Sequence, residues 1–307
     1  MPERDTPLIT ALVCTRNRGA GAAATVSSIL ASDHPNFEVV VVDQSTDDDT
    51  ARALARFRAD PRLRCLRSDT QGLGRARNVG LGCARSEVVA MTDDDCEVPP
   101  GWLDVMATVF AAHPGVAVAF CNVAAAPHDA EAGFIPAYRR AGDTLVSDIR
   151  GKREARGIGA GIAVRRPVVL ALGGFDEMLG AGADFPSCED GDMAVRALLR
   201  GHQVYETDAV AVLHAGFRTW EEGRVLSRRD WYGIGAAYAK PLRCGHWRFA
   251  AVPAYEFGRF ALWPPVSDLL RGRRPRGLGR IGAFLRGFAR GWRTPVDRQT
   301  LLFLPPG

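Results

Sequence analysis

The sequence of 307 residues lacks the signals of several large classes of protein. Its seven cysteines are scattered, and no two of them have the CxxC spacing of a zinc or redox site. An odd, scattered set argues against a disulfide framework and favours a reducing compartment. The N-terminal segment has no apolar signal core, and no run approaches the roughly 18 apolar residues of a membrane span. We therefore predict a cytoplasmic protein without transmembrane segments.

The loops that bind phosphate in two common enzyme classes are absent as well. The first predicted strand leads into Cys14–Gly21, which has neither the GxGxxG spacing of a dinucleotide turn nor the sequence of a P-loop. Gly72–Arg77 is rich in glycine and arginine, but alone such a segment is more typical of a helix start. We expect neither a dinucleotide oxidoreductase nor a P-loop enzyme.

Apolar runs alternate with segments of helical character over the first 125 residues. The predicted strands are Leu8–Cys14, Phe37–Val42, Leu63–Arg67, Val88–Met91 and Val116–Val123. The predicted helices are Ala22–Ala31, Thr50–Arg58, Arg75–Arg85 and Trp102–His113. This alternation predicts an α/β fold with a doubly wound, mainly parallel sheet and helices on both faces. Ligands bind such sheets beyond the carboxyl ends of the strands, where the polar clusters 14–16, 43–45 and 93–95 fall.

The second half of the chain is less regular. Residues 127–157 have the composition of a mobile loop or insertion, and a strand is predicted at Ile158–Val164. A helix is predicted at Glu189–Arg200, where two acidic residues favour the positive N-terminal end. Two short strands, Gln203–Glu206 and Val210–His214, are predicted next. From Trp220 onward the sequence becomes increasingly helical and basic.

An acidic triplet follows the strand Val88–Met91 and consists of Asp93, Asp94 and Asp95. Three adjacent carboxylates repel one another unless water or a cation takes up the charge. Oxygen ligands of this kind suit Mg²⁺ or Mn²⁺ and, through the metal, a diphosphate. A second triplet, Asp47–Asp49, is equally acidic. Acidity alone therefore does not distinguish a metal site from a solvated turn at Asp93–Asp95.

Several segments in register resemble a known family. They are Val40–Ser45, Gly74–Gly80, Met91–Asp95, Gly173–Glu177, Cys188–Arg196 and His214, and the resemblance extends over about residues 6–235. Together they resemble the inverting nucleotide-sugar glycosyltransferases of family 2, which have the GT-A fold. The resemblance implies a metal-dependent, inverting transfer of sugar from a nucleotide-diphosphate-sugar to a hydroxyl acceptor, with Mg²⁺ or Mn²⁺ as cofactor. We expect the acceptor to be a cell-envelope or lipid-linked glycan.

The resemblance also implies roles for individual residues. Asp43 contacts the nucleobase in a pocket shared with Thr15 and Arg16, and Asp93 and Asp94 hold the ribose and the metal environment. Metal ligation is implied for Asp95 and His214, although a strand-end histidine without a ligand remains an alternative. Arg77 either neutralises the diphosphate or faces solvent on its helix.

Glu189 and Asp190 form a second acidic site. An inverting transfer needs a general base that deprotonates the acceptor hydroxyl as it attacks. The resemblance places this base in the acidic pair, and we assign it to Asp190, with Glu189 orienting the acceptor or holding the backbone. The alternative is that both carboxylates merely stabilise the start of the following helix.

Other functions are kept as alternatives. Processive synthases of the family carry a QxxRW motif and membrane helices, whereas this chain has Arg228–Trp231 in the comparable place, so we expect non-processive transfer. A sugar-nucleotide nucleotidyltransferase shares a similar sheet but uses a glycine-rich phosphate loop that Cys14–Gly21 fits poorly. A non-catalytic nucleotide-sugar-binding homologue would be expected to have lost Asp95 or Asp190, and both are present.

The C-terminal part is strongly basic. Leu269–Val296 contains eight arginines and no acidic residue, and apolar residues recur there at near-helical spacing. Two interpretations remain open, namely a helix that contacts an anionic membrane at its inner face and a helix docked on the catalytic domain. We expect no nucleic-acid partner, because no recognition module accompanies the arginines. The predicted division is a catalytic domain over 1–235, with a nucleotide-sugar half (about 1–125) and an acceptor half (about 155–235), and a basic helical extension over 236–307.

Overall fold

The computed structural model describes residues 6–305, which form a large mixed sheet covered by helices. The strands are β1 (Ile9–Thr15), β2 (Phe37–Asp43), β3 (Leu63–Arg67), β4 (Val88–Asp93), β5 (Cys96–Glu97), β6 (Val116–Ala125), β7 (Gly133–Phe134), β8 (Thr144–Val146), β9 (Ile162–Arg165), β10 (Gln203–His214) and β11 (Arg218–Thr219). The helices are α1 (Gly19–Leu30), α2 (Asp49–Leu54), α3 (Leu73–Cys83), α4 (Trp102–Ala112), α5 (Arg166–Ala171), α6 (Glu189–Leu199), α7 (Trp220–Arg243), α8 (Ala251–Glu256), α9 (Trp263–Leu270) and α10 (Leu278–Arg293).

The main sheet has the strand order β3-β2-β1-β4-β9-β6-β10-β5, and β8 also pairs with β10. Strands β1 to β4 run parallel to one another, as do β6 and β10, while β9 is antiparallel to both of its neighbours. The predicted α/β fold with a largely parallel sheet is thus confirmed. The antiparallel β9 joins its two parallel parts.

Side chains of successive strand residues point to opposite faces, so each face of the sheet carries its own core. In β2, Val40 and Val42 pack into one buried cluster and Val39 and Val41 into the other. Helices α3, α6, α7 and α10 cover the first face, and α1 and α4 cover the second. This explains why the Phe37–Val42 run is apolar at every position except Glu38, as expected for a strand buried on both faces.

The register brings the predicted polar clusters to one edge. Thr15 of β1 lies opposite Asp43 of β2, and Cys14 lies opposite Asp93 of β4. The three strands therefore end together, as their spacing in the sequence predicts.

Three predicted elements differ from the structure. The region 203–214 is one strand with a bulge between Thr207 and Ala211 rather than two short strands. Residues 127–157, predicted as a loop or insertion, contain β7, β8 and a 3-10 helix at Ile149–Glu154. The strand predicted from Ile158 begins only at Ile162, because Gly159–Gly161 form a 3-10 turn.

The helices that follow residue 220 pack tightly onto the sheet domain. Helix α10 lies along α7, and their backbones approach so closely that a Cβ on Gly287 would lie 1.9 Å from the Tyr232 carbonyl oxygen. The predicted division at residue 235 falls inside α7, and it stays a prediction. None of the helices within residues 6–305 is both long enough and apolar enough to cross a bilayer.

A buried ionic cluster joins α7 to the rest of the molecule. The ammonium group of Lys240 donates to the carboxylate of Asp176 and lies 2.7 Å from Asp192 Oδ1. Asp192 also accepts from Arg196 on the next turn of α6, and Asp176 accepts from the backbone N–H of Phe303 near the C-terminus. Four charged side chains, each at most 2% exposed, therefore hold α6, α7 and the last described segment together.

Candidate active site

A crevice of about 560 Å³ opens at the carboxyl ends of β1 and β4. Its walls come from these strand ends, from the end of β10, from the start of α6 and from α7. The side chains with oxygen or nitrogen groups at its lining include Thr15, Arg16, Arg18, Gln44, Asp93, Asp94, Asp95, Glu189, Asp190, His214 and Asp230. Eight of the ten site residues predicted from the sequence are thus found together, and the other two, Asp43 and Arg77, lie just behind the wall.

The acidic triplet is held from one side by residues at the end of β1 and just beyond it. The hydroxyl group of Thr15 donates to Asp94 Oδ2 over 2.7 Å, and Arg18 Nη1 lies 2.8 Å from Asp94 Oδ1 and 2.7 Å from Asp95 Oδ2. Arg18 was not among the predicted site residues. Arg18 lies three residues beyond the end of β1, and its position in the sequence does not indicate that its guanidinium contacts the residues that follow β4.

Asp95 and His214 face each other across the crevice floor. His214 Nδ1 donates to the Pro136 carbonyl oxygen over 2.8 Å, since a carbonyl can only accept. The neutral ring therefore presents a lone pair at Nε2, which lies 3.1 Å from Asp95 Oδ1. Two acceptors at this distance need a proton or a cation between them.

The pKa values of Asp95 and His214 shift in opposite directions, as expected for two groups that share a proton. Burial alone would lower the pKa of His214, but the hydrogen bonds to Asp95 and to the Pro136 carbonyl raise it above its usual range. Burial would raise the pKa of Asp95, but the hydrogen bonds from His214 and Arg18 lower it to about 2. Asp95 is therefore ionised at neutral pH and available to a cation.

Asp93, Asp95, Cys96 and His214 can each place one ligand atom within 4.8 Å of the others. Cys96 is the new member of this group, and burial raises the pKa of its thiol. The remaining donors are two carboxylates and an imidazole, which suit Mg²⁺ or Mn²⁺ better than a soft metal. The donor set thus fits the predicted cofactor.

Arg77 lies beneath the crevice rather than on a solvent-facing side of α3. Its side chain is 3% exposed, and its Nη1 lies 3.0 Å from Glu189 Oε1. Nη2 donates to the Gly159 carbonyl oxygen and lies 3.9 Å from Asp93 Oδ1. Arg77 therefore balances the negative charge of both acidic sites from below.

Glu189 and Asp190 open α6, directly after Cys188. Cys188 has a φ of 74°, in the left-handed region that residues other than glycine rarely adopt. Both carboxylates line the crevice, but Glu189 is buried and paired with Arg77, whereas Asp190 is only partly buried. Burial, opposed by Arg77 and reinforced by Asp190, raises the pKa of Glu189 to about 7.

Asp230 of α7 is a further acidic group at the crevice that the sequence did not single out. Burial raises its pKa to about 6, against a hydrogen bond from Ser187 and with a contribution from the charge of Asp190. In the sequence this residue lies within Arg228–Trp231, the segment that takes the place of QxxRW.

Of the predicted nucleobase contacts, some line the crevice and one is buried behind its wall. Arg16 is exposed at the crevice wall, and Gln44 lines the same region. Asp43 is buried instead: its Oδ1 accepts from the Ser45 backbone N–H at 2.9 Å, and its Oδ2 lies 3.4 Å from Arg67 Nη1. The carboxylate of Asp43 thus shapes the turn that follows β2.

The chain matches known proteins at the level of family and fold. The model of glycosyl transferase family 2 matches residues 10–169, more than half of the chain. The structure superimposes on the mannosyltransferase PcManGT from Pyrobaculum calidifontis, in complex with GDP-Man and Mn²⁺, with a TM-score of 0.63 and 21% identity over 94% of this chain and 87% of that one. It superimposes on S. aureus TarS 1-349 in complex with UDP-GlcNAc with a TM-score of 0.60 and 18% identity over 91% and 81%.

Curated relatives match over shorter stretches. The succinoglycan biosynthesis protein ExoO of Rhizobium meliloti is 37% identical over 95 residues, which is 31% of this chain and 27% of that protein. The glucosyl-dolichyl phosphate glucuronosyltransferase of Haloferax volcanii is 27% identical over 187 residues, 57% of this chain and 58% of the relative. The chain thus spans only about a quarter of the length of ExoO.

The fold is of the GT-A type, as in the PcManGT and TarS structures. This chain belongs to glycosyl transferase family 2. The resemblance in the sequence is confirmed at this level.

Proposed function

We propose that this protein is a metal-dependent, inverting and non-processive glycosyltransferase. It moves a sugar from a nucleotide-diphosphate-sugar to a hydroxyl group of a cell-envelope or lipid-linked glycan. The observation that carries the proposal is one crevice that holds both the Asp95–His214 pair and the Asp190 carboxylate. One site suits a metal-bound diphosphate, and the other suits a base.

Asp95 and His214 are the proposed ligands of Mg²⁺ or Mn²⁺, with Asp93 and Asp94 supporting them and the ribose. A bound ion would supply charge stabilisation to the departing nucleotide diphosphate. Arg18, which holds Asp94 and Asp95 together, would lie beside a diphosphate bound at these carboxylates and would balance part of its charge. Thr15, Arg16 and Asp43 form the proposed nucleoside pocket, in which Asp43 acts through the turn it shapes.

Asp190 is the proposed general base. It removes the proton from the acceptor hydroxyl while the hydroxyl oxygen attacks the anomeric carbon from the face opposite the leaving nucleotide, which inverts the configuration there. Glu189, paired with Arg77, fixes the start of α6 and thereby the position of Asp190. We propose that the acceptor enters from the half of the domain over about 155–235, beside Asp230.

The ligands of two structural neighbours support the donor class without fixing the sugar or the base. PcManGT binds GDP-Man with Mn²⁺, and TarS binds UDP-GlcNAc. A lipid-linked acceptor would be reached at the inner face of a membrane, so we also propose peripheral contact with that surface by a cytoplasmic protein.

Turnover of a panel of nucleotide-sugars tests this function. Purified protein with Mn²⁺ and a set of glycan acceptors should release nucleotide diphosphate from at least one donor, and NMR of the product should show an inverted anomeric configuration. A retained configuration would contradict the base role of Asp190. Transfer of a nucleotidyl group to a sugar phosphate would instead identify a nucleotidyltransferase.

A further inference from the structure

The backbone from Ala251 to Leu270 is one continuous helix with its apolar side turned outward. Helix α8, a π-helical turn at Phe257–Leu262 and α9 follow one another without leaving the helical region of φ and ψ. Twenty residues span about 30 Å. From Tyr255 onward its exposed residues recur mostly at three- and four-residue spacing, and they are Tyr255, Arg259, Leu262, Trp263, Val266, Leu269 and Leu270.

The exposure on this outer face is large for apolar side chains. Leu270 is 76% exposed, Leu269 59% and Trp263 52%, whereas Val252 and Ala261 on the inner side are buried. A contiguous apolar patch of this kind on a protein surface marks an interaction site. We call the seven residues the outer face.

Positive charge surrounds the outer face at both ends. At its start, Arg150, Arg153 and Arg248 line a cavity of about 420 Å³ together with Trp247, which is 65% exposed. One of these charges is partly balanced, because Arg153 Nε lies 3.3 Å from Glu154 Oε1. At its end, exposed arginines follow Leu270 at positions 271, 273 and 274.

The same region contains few acidic residues. Residues 247–296 contain ten arginines and only two carboxylates, Glu256 and Asp268. Glu256 accepts from the Tyr238 hydroxyl at 2.6 Å, and Asp268 accepts from Arg276 at 3.0 Å. The surface around the outer face is therefore strongly positive.

We propose that the outer face and the arginine-lined cavity lie on an anionic lipid bilayer, with lipid phosphates in the cavity. Tryptophan and leucine side chains would enter the boundary between headgroups and acyl chains, and the arginines would meet the negative surface potential. The proposal rests on the membrane contact proposed above and supplies the surface for it. A two-fold contact with a second copy fits less well, because it would bring these arginines against one another.

This surface differs from the one that the sequence suggested. The apolar side of α10 is largely used against α7, where Phe284 and Gly287 are buried. Of the two interpretations left open for that helix, the docked one describes its packing against α7. We therefore place the proposed membrane contact on Ala251–Leu270, a segment whose prolines and single glutamate interrupt its apolar pattern in the sequence.

Flotation of the full-length protein with lipid vesicles tests the proposal. Wild type should bind vesicles of phosphatidylcholine with phosphatidylglycerol and bind far less to phosphatidylcholine alone. Replacement of Trp263, Leu269 and Leu270 by serine should lower the bound fraction about tenfold, because the apolar insertion is lost. The matched control is Leu278→Ser with Leu285→Ser, which removes leucines of similar exposure (54% and 55%) from α10 and should leave binding unchanged.

Charge is tested separately. Arg150→Gln with Arg248→Gln should weaken the preference for anionic vesicles, because the arginines at 153, 271, 273 and 274 remain. Added salt should weaken the preference of wild type as well. Leu270→Asp serves as a single substitution if the triple variant is unstable, since it places a charge at the most exposed position.

Wild-type binding by the triple variant or by Leu270→Asp would overturn the proposal, and so would loss of binding in the α10 control. Sedimentation that shows a dimer dissociating in the triple variant would assign the face to self-association instead. Release of nucleotide diphosphate in vesicle-free solution separates the two proposals. Turnover without vesicle binding overturns only the surface, and vesicle binding without turnover overturns only the enzyme.

Discussion

Arg77 of α3 and Glu189 of α6 form a buried ion pair in which Nη1 and Oε1 are 3.0 Å apart. The pair connects a helix of the proposed nucleotide-sugar half to the helix that carries the proposed base. Because Asp93 also lies within 3.9 Å of the same guanidinium, one cation supports both acidic sites. The positions of Asp93 and Asp190 are thus linked through Arg77.

Removing this cation should destabilise the fold. In Arg77→Met both Glu189 and Asp93 would lose the buried cation that they share, and we expect the free energy of unfolding to fall by about 3–5 kcal/mol. Urea denaturation followed by circular dichroism measures it. The double variant Arg77→Met with Glu189→Gln should recover part of the loss, since it removes the unpaired charge. A single variant as stable as wild type would show that the pair contributes nothing to stability.

Glu189 should make stability depend on pH in a defined direction. Burial raises its pKa from 4.5 to about 7, so the folded state holds the proton more tightly than the unfolded chain. This contribution to stability is fully present below pH 4.5 and is lost as the pH rises through about 7. Denaturation midpoints of wild type and Glu189→Gln across that window measure the effect. We expect a flatter profile for the variant, and parallel profiles would refute the assignment.

Asp190→Asn should separate chemistry from donor binding. Without the base, the transfer rate should fall by about 10²–10⁴-fold, while the affinity for nucleotide-sugar and Mn²⁺ stays near that of wild type. Steady-state release of nucleotide diphosphate and calorimetric donor binding measure the two quantities. Glu189→Gln is the adjacent control and should retain more activity. Loss of donor binding in Asp190→Asn would move this residue out of the base role.

The buried Lys240 cluster should decide whether the C-terminal helices stay attached. In Lys240→Met the carboxylate of Asp176 would lose its buried cation, and stability should fall by about 3–5 kcal/mol. Limited proteolysis should then cut first between α7 and α10. Arg224→Met, at an exposed position on the same helix, is the control and should behave as wild type. Unchanged stability in Lys240→Met would contradict the structural role of the cluster.

The sequence predicted the parts of the fold that follow from repeating patterns of apolar and polar residues. The valine run at 39–42 and the strand end at Asp93 indicated where the sheet and its polar edge lie, because a central strand buried on both faces must be apolar. The division of β10 into two strands was wrong, since the polar residues Thr207 and Asp208 mark a bulge rather than an end. Strands β5, β7 and β8 have two or three residues each, too few for a period to be visible.

The site was predictable where residue type alone limits the chemistry. The carboxylates at 93–95 and 189–190 lie at the crevice, because acidic residues beside strand and helix ends are seldom buried without a partner. The direction of long side chains could not be predicted. Arg18 reaches across to β4 and Arg77 turns inward beneath Asp93, and both depend on contacts far apart in the chain.

The central claim is that Asp95 and His214 hold a divalent cation that binds the donor diphosphate. The nucleotide-sugar that serves as donor in the turnover assay is titrated calorimetrically into wild type and into Asp95→Asn. The titration is done once with Mn²⁺ and once with a chelator, and it tests the claim directly. We predict binding to wild type that requires Mn²⁺ and weakens about 10- to 100-fold in Asp95→Asn, as expected when a ligand is lost. Equal binding with chelator, or unchanged Mn²⁺-dependent binding by Asp95→Asn, would contradict the account.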